Sequence, residues 1–252
     1  MLRLPLQSAA LLAALLLFTQ PAAATGFHGG FDLGISLQDL VDGETFESDN
    51  GELVFSDFEA DTSGVAPGNL DLYRVFPTED GFKIFSPLFA WPGHDAQLDL
   101  SYDVEGLGGK QVAGMAIDFH GLALGRDAEA GVMATVLSGD DELANLMAGT
   151  RDSKGDGGPG WFCGWEGHGG KPDRDDGRSD SVMFKDGYDS ISVLEKIFAS
   201  VGGGKDKKGG WSFGLAKALI VDHSFKTVMV PEPGTLLLLG AAGLALRLRR
   251  RS

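Results

Sequence analysis

The sequence predicts an all-β fold: an antiparallel β-sandwich, jelly-roll-like, of about eight strands with one or two short helices. Three observations predict it. Segment after segment alternates apolar and polar residues with a period of two, the signature of strands with one buried face. Glycine supplies 38 of 252 residues, about twice the usual share, and it recurs with Asp and Ser between those segments. Helical spacing occurs in only two short places.

Taken in order, Ser36-Leu37-Gln38-Asp39-Leu40-Val41 has apolar residues at i, i+3 and i+4 behind a serine cap, and reads as a helix. Leu53, Phe55 and Phe58 mark the next strand, and Leu70 to Phe76 alternates weakly. Gly81 to Phe85 follows a turn at Glu79-Asp80-Gly81. Leu98, Leu100, Tyr102 and Val104 alternate cleanly with Asp99, Ser101 and Asp103. Ala113, Met115, Ile117 and Phe119 repeat the pattern, as do Val132, Ala134 and Val136. Asp140 to Met147 reads as a second helix with an acidic first turn, favourable to the helix dipole. Ile191, Val193 and Ile197 keep one phase through Glu195, while Trp211, Phe213, Leu215, Leu219 and Val221 keep another. Turns are expected at Asp80-Gly81, Gly108-Gly109, Ser138-Gly139-Asp140 and Asp186-Gly187.

The two ends are of a different kind. Arg3 precedes an apolar run from Ala9 to Phe18, and Pro21-Ala22-Ala23-Ala24 ends it. That is a basic leader, an apolar core and a small-residue cleavage site, with Ala22 and Ala24 at the cut. The run is too short to cross a bilayer core of ~30 Å comfortably. Residues 1–24 therefore read as a signal peptide, and 25–229 as the exported domain.

Residues 230–252 open with Pro231-Glu232-Pro233, which cannot continue helix or strand because two of the three residues lack an N–H and fix φ. A short apolar run, 235–246, can enter the bilayer as helix, and Arg247, Arg249, Arg250 and Arg251 hold its far side in the cytoplasm. This tripartite tail, with Gly240 and Gly243 inside its apolar run, resembles the PEP-CTERM sorting signal of Gram-negative bacteria that make extracellular polysaccharide. The resemblance implies recognition and processing near the triplet by an exosortase, an integral-membrane cysteine transpeptidase. It also implies passage through the secretory translocon, a transient stay in the inner membrane, and a final place at the cell surface or in the matrix. The order of helix, Leu53 to Phe58, Asp80 to Ile84, Leu98 to Asp103 and Ile191 to Ile197 is likewise similar to secreted β proteins bearing such tails.

Charge narrows the partners. The formal net charge is −15, and five of 21 basic residues but only one of 36 acids lie in the two terminal segments, leaving the domain at −19. A domain so acidic repels nucleic acid, whose phosphates need Lys and Arg. One cysteine, Cys163, leaves no internal disulfide framework.

The Gly- and Asp-rich segment 149–180 holds the candidate chemistry. Trp161, Phe162 and Trp165, set among glycines, either fold back as a plug over the core or present flat apolar faces as candidate glycan contacts. Asp152 and Asp156 begin like a calcium loop, with Asp173 and Asp175 as further ligands, but Lys154 stands where an oxygen is needed and no Glu closes the loop. Cys163 and His168 lack the fixed geometry of a nucleophile and its base. His28, His94, His120 and His223 show no metal-ligand spacing, and His120 reads as a strand end. Walker and H-E-x-x-H motifs are absent. The expectation is an exosortase-sorted envelope or matrix protein associated with exopolysaccharide or biofilm, with no catalysis and no cofactor. A secreted carbohydrate-active enzyme and a calcium-dependent adhesive module are the alternatives.

Overall fold

The computed structural model describes residues 34–125, 127–152, 178–203 and 214–230. The chain divides into units Met1–Asp32 and Leu33–Ser252, and every described residue lies in the second. Its elements are β1 (Ile35–Ser36), α1 (Leu37–Val41), β2 (Phe46–Glu47), β3 (Leu53–Gly64), β4 (Arg74–Thr78), β5 (Gly81–Ala90) and β6 (His94–Gly106). They continue with β7 (Lys110–Gly125), β8 (Ala128–Ser138), β9 (Asp141–Asp152), β10 (Ser179–Tyr188), β11 (Ser190–Val201) and β12 (Gly214–Met229).

The strands form two six-stranded sheets, ordered β1-β4-β5-β12-β7-β10 and β2-β3-β6-β11-β8-β9. The ladders are antiparallel, so each sheet can bury one face and leave the other in solvent. The inner faces meet in a β-sandwich. Leu98, Leu100, Tyr102 and Val104 of β6 face inward, as do Val132, Ala134 and Val136 of β8. From the other sheet come Phe82 and Ile84 of β5, Met115, Ile117 and Phe119 of β7, and Val221 and Phe225 of β12. Phe55 and Phe82, from opposite sheets, meet edge-on at 5.2 Å between ring centroids, and Phe46 stacks on Phe55 at 4.9 Å.

The helix α1 starts where the sequence places it. Ser36 Oγ accepts from the Asp39 N–H at 3.1 Å, satisfying an amide that the first turn leaves unpaired. Leu37 and Leu40 are buried, and Gly43, at φ 105, takes the chain out of the helix.

Several expectations are corrected. Twelve strands stand among the described residues, not about eight. Asp140 to Met147 is no helix: β9 pairs with β8 across the Ser138-Gly139-Asp140 turn, with Met133 opposite Met147. Cross-strand pairing and burial of Leu146 and Ala148 outweigh a weak helical preference. Asp186-Gly187 lies inside β10, where the register against β7 shifts, and the chain turns at Asp189 instead. In β12 the inward phase belongs to Ala216, Ala218, Val221, His223 and Phe225, and a register shift between Ala218 and Ile220 moves it by one residue. Leu215 and Leu219 are therefore only half-buried. His120 lies within β7 rather than at its end. The segment 149–180 also begins later than expected, because β9 runs through Gly149 to Asp152 and β10 opens at Ser179. Asp180 then accepts from the Met147 N–H at 2.9 Å, covering part of an edge that would otherwise offer free amides.

Candidate functional site

Pleating sends alternate residues of β5 away from the core, so Lys83, Phe85 and Phe89 point outward between buried Ile84, Leu88 and Ala90. Register sets Phe89 beside Lys217 of β12, and Lys217 beside Leu122 of β7. Phe85 is likewise beside Ile220, and Ile220 beside His120. Trp91 follows β5 directly. Its ring centroid lies 6.0 Å from that of Phe89 and 4.7 Å from that of His94. The turn between them is closed by the His94 N–H donating to the Trp91 carbonyl at 2.9 Å, with Gly93 at φ 82.

Phe89, Trp91, Leu122 and Leu124 are each 42–44% exposed. Folding does not require large apolar groups side by side on a solvent face, and contiguous exposed patches of this kind mark contact surfaces. Three rings in a ledge beside Lys217 combine flat apolar faces with polar tips. A polyhydroxylated ring has the same dual character.

The ledge depends on a local irregularity. Between Leu88–Ala218 and Phe85–Ile220 the β5–β12 register shifts, at Pro87, which has no N–H to give a ladder. Across β12 lies Gly121, where an added Cβ would sit 2.3 Å from the Phe119 ring and 2.6 Å from the Lys217 carbonyl oxygen. Only glycine lets β7 and β12 approach so closely beside the ledge.

The outer face of the other sheet carries an open depression of about 500 Å3. Asp61 and Asp99 are directly opposed across β3 and β6. Lys196 Nζ stands 3.9 Å from Asp99, and Gln97 donates a hydrogen bond to the same carboxylate. Glu59, Leu194, Met133, Ser101 and Thr135 also line the depression, and no aromatic ring does.

Between the sheets, Glu195 of β11 and His223 of β12 form a polar pair at 2.7 Å, both side chains fully buried. Phe82 stacks on His223 with centroids 4.3 Å apart. Tyr102 lies edge-on to the same imidazole, and burial, helped by the charge of Glu195, holds its phenol well above the usual range.

Of the residues singled out from sequence, Asp152 closes β9 opposite Ala128. Asp156, Trp161, Phe162, Cys163, Trp165, Asp173 and Asp175 lie outside the described residues, as do Ala22, Ala24 and the tail from Pro231 to Arg251. Among the described residues no three His, Cys, Asp or Glu side chains gather as a metal site. None of those described is long and apolar enough as a helix to cross a membrane. Sequence reasoning missed the ledge, although Phe85, Phe89 and Trp91 share one parity while Phe82, Ile84 and Leu88 share the other. It also missed His223, which keeps the phase of Val221 and Phe225.

The described residues form an antiparallel β-sandwich with an exposed aromatic ledge. The chain's C-terminal segment is more specific, since residues 230–251 match the family described as the PEP-CTERM protein-sorting motif. The chain carries that motif, and with it the mark of an exported protein sorted by an exosortase. No curated protein matches the chain. Among solved structures, one match is TmCBM61 in complex with β-1,4-galactotriose, 11% identical, covering 67% of this chain and 88% of that one, with a TM-score of 0.30. A likeness so faint carries nothing over to the surfaces of this chain.

Proposed function

We propose that this is a non-enzymatic protein of the cell envelope or extracellular matrix, led out by a signal peptide and released to the surface through its tail. Its sandwich holds extracellular polysaccharide on the ledge of Phe89, Trp91 and His94. The sorting motif at 230–251 supports the export reading, and the exposed contiguous rings support the glycan reading. The acidic surface away from the ledge keeps the domain soluble and disfavours nucleic acid.

Affinity electrophoresis tests it, with the full-length protein run through gels containing exopolysaccharide purified from the producing strain. Retardation that disappears in Phe89→Ala/Trp91→Ala is the expected result. Migration equal to that in a polysaccharide-free gel would remove the glycan reading. The directly opposed Asp61 and Asp99 favour a second reading, a carbohydrate-active enzyme. Release of reducing ends from the same polysaccharide, lost in Asp99→Asn, would establish it.

A further inference from the structure

The strand at the centre of the ledge also leads to the sorting tail, and the two lie at its opposite ends. Lys217, beside Phe89, is separated from Met229 by about 40 Å of strand at ~3.3 Å per residue. At the far end Val230 donates its N–H to the Gly109 carbonyl at 3.1 Å, fixing the exit at the turn between β6 and β7. Only Pro231, Glu232, Pro233 and Gly234 separate that exit from the apolar run at 235–246. Fully extended, such a tether spans at most about 17 Å. The exit end is acidic. Glu52, Glu79, Asp80 and Asp189 gather there against Lys110 and Lys226.

We propose that, while the tail is held in a bilayer, the sandwich stands with the Phe89–Trp91 ledge at its membrane-distal end, open to a polysaccharide ligand. The proposal rests on the glycan reading of that ledge. Its geometric basis is independent: a short tether at one end of a long strand leaves the opposite end far from lipid.

Full-length protein carrying Cys163→Ser and one reporter, Met229→Cys at the exit or Leu124→Cys beside the ledge, is reconstituted into vesicles of phosphatidylethanolamine and phosphatidylglycerol. A fluorophore on the cysteine is read against a quencher attached to lipid headgroups. Several-fold stronger quenching at 229 than at 124 is expected. Equal quenching, or stronger quenching at 124, would place the ledge against lipid and overturn the proposal, as would failure of the chain to float with the vesicles. Exopolysaccharide binding to the Met229→Cys vesicles is scored separately. If it is absent while the quenching pattern holds, the glycan reading fails and the orientation stands.

Discussion

Glu195 Oε2 and His223 Nε2 lie 2.7 Å apart across the two sheets, with neither side chain open to solvent. The bond ties the middle of β11 to the middle of β12 through a largely apolar interior, with Tyr102 edge-on to the imidazole. A buried pair of this kind is poor evidence for stability in itself, because desolvation offsets the attraction. Removing one partner is another matter, since the survivor is left buried and alone.

Glu195→Ala is therefore expected to cost about 3–5 kcal/mol in chemical denaturation. Replacing both partners at once, with Glu195→Leu and His223→Leu, is expected to recover most of that loss. A double variant as unstable as Glu195→Ala would show that the pair, rather than apolar filling, holds the sheets.

Gly121→Ala is expected to destabilise the sandwich by about 1–3 kcal/mol. The added methyl meets the Lys217 carbonyl, a backbone atom that cannot swing aside. The midpoint of urea unfolding checks this, and a shift within error would mean that β7 and β12 separate there without cost.

Alkaline pH should loosen the fold. The Tyr73 hydroxyl donates to the Pro67 carbonyl at 3.0 Å, and burial pushes its phenol from 10.0 up to about 12. Tyr102 is raised in the same direction. The native state thus holds both protons more tightly than the unfolded chain. The stabilisation is complete below the ordinary phenol value near 10 and drains away as pH climbs through the native values. Denaturation midpoints are expected to fall between about pH 8 and about pH 11, less steeply in Tyr73→Phe. Parallel curves for the two proteins would contradict the assignment.

The acid limb has a different source. Glu52 accepts from Lys110 Nζ at 2.7 Å and from the Thr227 hydroxyl, and these bonds hold its carboxyl below the ordinary 4.5. This contribution is present above about 4.5 and is lost as pH falls through the lower native value. Glu52→Gln should flatten the stability profile in that acid window and leave it unchanged near neutrality in slope. An identical acid limb in the variant would refute the role.

Single truncations at the ledge should separate binding from stability. Trp91→Ala is expected to weaken polysaccharide retention about tenfold, equivalent to ~1.4 kcal/mol. Its melting temperature should barely move, since a half-exposed ring outside the core carries little of the fold. Loss of binding together with a large fall in melting temperature would point to a structural role.

The strand β6 was readable because one face is apolar and the other polar, so period-two alternation survives intact in Leu98 to Val104, and β8 and β11 keep an apolar inward phase in Val132, Ala134, Val136 and in Ile191, Val193, Ile197. Asp140 to Met147 deceived, because Glu142, Leu143 and Ala144 suit a helix locally while β8 supplies the pairing that makes them a strand. The β12 phase deceived for a related reason. Its inward positions include Ala216 and Ala218, too small to announce a core face, and the register shift after them has no sequence marker of its own.

What the sequence by itself determined is local: the all-β class, most of the turns, the Ser36 cap, and the tail at 230–251 that marks export and sorting. Such features are carried by neighbours in the chain, so alternation, capping and a short motif are enough to reveal them. The ledge and the buried pair were decided only by tertiary structure. Phe89, Lys217 and Leu122 are distant in sequence, as are Glu195 and His223, and antiparallel register with the stacking of two sheets is what brings them together. Which of two apolar faces on β5 becomes core is a question of what packs against it, and no single strand contains that answer.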